Sequence, residues 1–174
     1  MADEAKRRTG RNQAGFRLTE IGAPDLPRTI DERRQAEVLT VLLTLCAADP
    51  EIEQVHWYNL QEDGDNPDYN EHNYGIVHSD FSPKPALFAL RHIMRMLDGA
   101  EFKECKRENE VVIHHFLIHG VSRWVVWSDH PIQWRLPTGV AGVTGMMGET
   151  IEPENGMLEI GSAPVYLEFG EMRK

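Results

Sequence analysis

The sequence predicts an α/β segment followed by a small all-β module, and three observations carry that reading. Between residues 16 and 99 the hydrophobic period alternates between two and three-to-four, which spells strand, helix, strand, helix. From Glu101 onward short apolar or aromatic runs follow one another, separated by turn residues every 8–12 positions or so. Between them, Val55–Pro85 begins as an apolar run with aromatics and spills into an acidic, Asn-rich loop before a helix. A buried strand that ends in a long polar loop holds the position while the loop carries the chemistry.

Taken in order, residues 1–15 are polar and are expected to be a disordered lead-in. Phe16–Ile21 alternates as a short strand, stopped by Gly22-Ala23-Pro24, with Pro24 and Pro27 stiffening the loop. Thr29 or Asp31 can cap a helix starting near Glu32. Ala36, Leu39, Leu42, Leu43, Cys46 and Ala47 form its buried face, and Asp49-Pro50 ends it. Glu53–Leu60 is the next strand, and a short-looped strand–helix–strand implies a parallel pair with the helix crossing outside. Lys84–Leu97 forms the second helix, closed by Gly99. The strands of the β module are Val111–Ile118, Trp124–Trp127, Ile132–Leu136, Gly139–Thr144, Met157–Ile160 and Val165–Phe169. Three units result: the lead-in, a βαβα segment over 16–99, and an antiparallel β-sandwich over 100–174.

Two parallel strands cannot close a (β/α)8 barrel, which takes about 250 residues. The segment therefore reads as a partial barrel. Either the β module covers its open surface, or most of the barrel is absent from this chain.

Bulk composition narrows the function classes. Of 174 residues, 41% are hydrophobic and 26% charged, as in globular proteins. The net charge of −10 argues against nucleic-acid binding, which needs cations against phosphates. The basic residues Lys6, Arg7, Arg8 and Arg11 are too few and too isolated to change that. No apolar run is long enough to span a membrane, and the first fifteen residues have no apolar core for a secretory signal, so the cytoplasm is the expected location. Cys46 and Cys105, in a predicted helix and a predicted strand, read as two small buried thiols. No thiol pair or HExxH stands at zinc spacing, and no P-loop, dinucleotide fingerprint or G-x-S-x-G appears, so neither metal nor cofactor is expected. His114 and His115, adjacent on a strand, point to opposite faces.

Glu20 is the sharpest candidate for chemistry, because a carboxylate at the C-terminal end of a parallel strand faces the catalytic end of an α/β barrel. By position alone it also fits a solvated strand-end glutamate. Leu18-Thr19-Glu20-Ile21-Gly22 resembles the seventh-strand signature of retaining clan A glycoside hydrolases. Val55-His56-Trp57-Tyr58-Asn59-Leu60, followed by Asp63-Gly64, is similar to their eighth strand. Asn73-Tyr74-Gly75-Ile76-Val77 and Ser82-Pro83-Lys84-Pro85-Ala86 are similar to the lead into their eighth helix. The β tail resembles the small domain often appended to such barrels.

The resemblance implies a carbohydrate substrate, Glu20 as nucleophile and Trp57 as a platform under the sugar. Asn59, on the same strand face, would be a hydroxyl partner, with Tyr58 facing the helices; a slip of one residue exchanges the two aromatics. Glu62 and Asp63 read as solvated loop carboxylates. The chain departs from the family in one large respect: it has no counterpart of the fourth-strand Asn-Glu that supplies the acid/base, and Asn70-Glu71-His72 is in the wrong place. Three readings follow: a truncated reading frame, a degenerate remnant, or half of a split enzyme whose companion chain or N-terminal barrel half supplies the remaining strands. The alternative from another class is a non-catalytic carbohydrate-binding or interaction module. In it Trp124, Trp127 and Trp134 would form a stacking face, although Trp124 and Trp134 also suit a sandwich core.

Overall fold

The computed structural model describes residues 15–26 and 30–170. The expected lead-in lies outside them except for Gly15, as do Pro27 and the cap candidate Thr29.

Strand β1 (Phe16–Ile21) pairs in parallel with β2 (Ile52–Trp57), with Leu18 opposite Val55 and Ile21 opposite Trp57. Helix α1 (Glu32–Ala48) connects them, so the βαβ unit forms as expected. Asp31 is its N-cap, its Oδ1 accepting from the Arg34 N–H at 2.7 Å. The buried face of α1 is more polar than its apolar spacing suggested. Gln35, Thr40 and Thr44 are buried whereas Ala47 is exposed. Thr40 and Thr44 are tolerated there because each hydroxyl donates to the carbonyl four residues back, at 2.9 and 2.8 Å.

Strand β2 stops at Trp57, three residues short of the expected Leu60. Tyr58 still donates its N–H to Ile21 O at 2.8 Å, but Asn59 turns away to Tyr74 O. A loop with one 3-10 turn (Asn70–Asn73) leads to helix α2 (Pro85–Met96). Proline at the first helical position loses no intrahelical bond, since that N–H would be unpaired anyway. Gly99 follows at φ +66°.

The strands of the β module are β3 (Glu101–Glu108), β4 (Val111–Ile118), β5 (Val121–Ser128), β6 (Ile132–Arg135), β7 (Val140–Gly145), β8 (Met157–Ile160) and β9 (Val165–Phe169). They form a five-stranded antiparallel sheet in the order β3-β4-β5-β9-β7, with a two-stranded ribbon, β6-β8, as its second layer. No apolar run marks β3, because its sequence, EFKECKRE, is mostly charged and it lies at the sheet edge. One face of the sheet packs Val111, Ile113 and Val126 against Trp134, Leu158 and Ile160 of the ribbon. The other packs Phe116, Val125 and Tyr166 against Ile93 and Met96 of α2. The helices meet each other through Ala36, Leu39, Ala86 and Ala89, all fully buried. The chain is thus layered as parallel pair and helices, then sheet, then ribbon.

Cys46 is buried but Cys105 is exposed, which corrects the reading of two buried thiols; both are free. The edge position of β3 leaves Cys105 with only one neighbouring strand to cover it.

Candidate functional site

The C-terminal ends of β1 and β2 open into a cleft of about 400 Å³ lined by Glu20, Ile21, Gly22, Tyr58, Glu71 and Tyr74. Glu20 is exposed, as a strand-end carboxylate facing solvent should be. Gly22 lets the two strand ends meet: a Cβ there would stand 2.1 Å from Tyr58 O and 3.1 Å from the Tyr74 ring. Gly75 serves the same end deeper in the loop, where a Cβ would sit 2.3 Å from Glu62 N.

Tyr58 and Tyr74 stand edge to face, with ring centroids 5.5 Å apart. The Tyr58 hydroxyl donates to Asp63 Oδ2 at 3.2 Å, and Asn59 Nδ2 donates to the same oxygen at 3.1 Å. That hydrogen bond is the first cause holding the Tyr58 phenol above its ordinary pKa; burial and the negative charges of Asp63, Glu71 and Glu20 add to it.

The two aromatics have exchanged the places the sequence suggested. Tyr58, not Trp57, lines the cleft with Glu20. Trp57 packs against the cluster of Ala36, Leu39, Ile76, Ala86 and Ala89, on the helix side of β2. Asn59 does not alternate back to the Trp57 side. Because β2 ends at Trp57, the residue after Tyr58 is no longer bound by strand alternation, and its side chain joins Tyr58 at Asp63. Glu71, set aside on sequence position, is brought into the cleft by the 3-10 turn Asn70–Asn73.

Glu62 is not a solvated loop carboxylate; its side chain is only 12% exposed. It meets the wholly buried ammonium of Lys84, which also binds Asp25 Oδ1 at 2.8 Å. His78 Nδ1 lies 3.3 Å from Glu62 and its Nε2 3.2 Å from Glu32. The loops after β1 and β2 and the start of α2 are therefore joined by one ionic network. Gln35, fully buried on α1, adds a clamp by donating to Ala23 O at 3.0 Å and Gly75 O at 3.2 Å.

A strand-end carboxylate among aromatic rings, at the C-terminal edge of a parallel pair backed by helices, is the arrangement of α/β enzymes that act at strand ends. No known family profile and no curated protein matches the sequence. Among solved structures, a family 39 glycoside hydrolase from Bacteroides cellulosilyticus is 26% identical with a TM-score of 0.82. The match covers 97% of this chain and 37% of that one. A family 30 endoxylanase from Clostridium papyrosolvens shares the fold at 8% identity and a TM-score of 0.56, over 96% of this chain and 44% of that one. A family 30 subfamily 8 xylanase from Clostridium acetobutylicum does so at 12% identity and a TM-score of 0.58, over 96% and 45%. Over nearly its whole length, then, the chain is similar to about two-fifths of clan A glycoside hydrolases, consistent with the C-terminal part that its motifs imply. Among the described residues, no helix is long and apolar enough to cross a membrane.

Proposed function

We propose that this chain is the C-terminal part of a retaining glycoside hydrolase and supplies its nucleophile, Glu20. The observation that carries the reading is that Glu20 shares one cleft with Tyr58 and Tyr74 where two parallel strands end. In the proposed reaction the Glu20 carboxylate attacks the anomeric carbon of a β-glycoside. The aglycone leaves with a proton from a second carboxyl group, and water then cleaves the glycosyl ester with that group acting as base. The two carboxyls must stand roughly 5–5.5 Å apart. The acid/base, and the strands that hold it, come from a part of the barrel outside this chain.

Tyr58 offers the sugar its ring face, held by the bond to Asp63, and Asn59 is placed beside it for a hydroxyl. Trp57 acts from behind, as packing that sets where β2 ends. The carbohydrate-binding alternative gains nothing from the tryptophans. Trp124 and Trp127, three apart on β5, stand on opposite faces of the sheet, and Trp134, on the ribbon itself, is buried against the sheet.

The test uses the longest polypeptide containing this chain, treated with 2-deoxy-2-fluoro glycosides that trap the nucleophile. The label is expected on Glu20 by peptide mass, lost in Glu20→Gln and kept in Glu71→Gln. Label on another residue, or undiminished label in Glu20→Gln, would sink the assignment.

A further inference from the structure

A second cleft, of about 410 Å³, runs between α2 and the five-stranded sheet, away from the strand ends. Arg91, His92 and Arg95 line it from the helix, and Arg123, Thr144 and Glu168 from β5, β7 and β9. Arg91 and Arg95 are four apart, hence on one helical face, and both are exposed. Neither has an ion-pair or hydrogen-bond partner among the described residues. In a chain with 28 acidic and 18 basic residues, two adjacent unpaired guanidiniums run against the composition. As like charges one turn apart they also repel each other.

Arg123 is the third guanidinium. It donates through one terminal nitrogen to Met96 O at 2.8 Å and through the other meets Glu168 Oε2 at 3.0 Å. Its Nε is buried without a partner. Among the described residues Glu168 is the only carboxylate lining the cleft, with Glu149 acting on His92 from just outside it, so positive charge predominates there. His92 adds no charge: burial first, then the nearby Arg95, holds its pKa below the usual value, and its Nε2 is engaged with Thr144 Oγ1 at 2.9 Å.

We propose that this cleft binds an oxyanion, gripped by Arg91 and Arg95 from the helix, while Arg123, held by Met96 O and Glu168, adds its positive charge from the sheet. Planar guanidinium forks match phosphoryl, sulfate and carboxylate oxygens two at a time, and a partly enclosed site strengthens each such bond. The inference is independent of Glu20 and of the glycosidase reading, since the cleft shares no residue with that site.

The test is an amide NMR titration of the chain at constant ionic strength, with inorganic phosphate in one series and glucuronate in another. Saturable shifts are expected at Thr144 and Gly148, with affinity falling roughly tenfold in Arg91→Ala and in Arg95→Ala. Both positions are exposed on a helix that alanine favours, so loss of binding would not reflect unfolding. Arg135→Ala, on the distant ribbon, should bind as the parent does. Saturation by phosphate alone assigns the cleft to phosphoryl or sulfate groups, and saturation by glucuronate alone to a carboxylated sugar. Linear, unsaturated shifts in both series, or an equal loss in Arg135→Ala, would overturn the proposal in favour of diffuse charge attraction.

Discussion

The Lys84 ammonium lies 2.8 Å from Asp25 Oδ1, although the two residues are 59 positions apart in the chain and the lysine side chain is wholly buried. Asp25 follows β1 and Lys84 caps α2, so this one ion pair closes the cleft-bearing end of the βαβα segment. Glu62, from the loop after β2, completes it.

Replacing Lys84 by Met should therefore destabilise the chain by about 3 kcal/mol, because two largely buried carboxylates lose their common cation. His78, 3.3 Å from Glu62, keeps the loss at the lower end of the range for such pairs. Urea denaturation reads the difference. A change below about 1 kcal/mol would mean that water reaches the pair more freely than its burial indicates.

The exchanged aromatics predict unequal costs. Trp57→Ala empties a site packed against the helix pair and should cost about 3 kcal/mol. Tyr58→Ala removes a cleft-lining ring and a single bond to an exposed carboxylate, and should cost less than about 1 kcal/mol. Thermal or chemical unfolding of the two variants side by side decides it. The reverse order would return the cleft-facing role to Trp57.

His114 gives the fold a weakness toward acid. It is buried at 3% exposure and stacks on Trp127 at 4.9 Å, and burial holds its pKa below the ordinary value of 6.5. The fold thus favours the neutral ring. Its contribution is complete above that ordinary value and is lost as pH falls toward and through the lowered one. Stability should drop as pH falls below about 6.5, with a change in Trp127 fluorescence, and His114→Phe should flatten that drop. His92 and His115 are also lowered, chiefly by burial, so part of the slope will survive in the variant. An unchanged slope would show that His114 carries none of it.

How far the site could be read in advance varies residue by residue. Glu20 and Gly22 were visible because a strand end and its stop are local features of the chain. Asp31 was visible as a cap for the same reason. Glu71 was not, since it reaches the cleft only through the 3-10 turn that folds its loop back. Glu62 looked solvated because no neighbour in sequence offers it a cation; Lys84 comes from 22 residues further on.

Apart from the charged edge strand β3, the sequence by itself determined the kinds and order of the elements, the parallel strand pair and the antiparallel strands that follow, because hydrophobic period and turn chemistry act over a few residues. It also carried the likeness to clan A glycoside hydrolases in four short motifs. Only the tertiary structure decided which aromatic faces Glu20, which loop carboxylates are buried, and where three arginines converge. Those outcomes depend on β2 ending at Trp57 and on contacts between residues far apart in the chain. No local pattern encodes where a strand lets go of its neighbour, and a shift of one residue there sends a side chain to the opposite face.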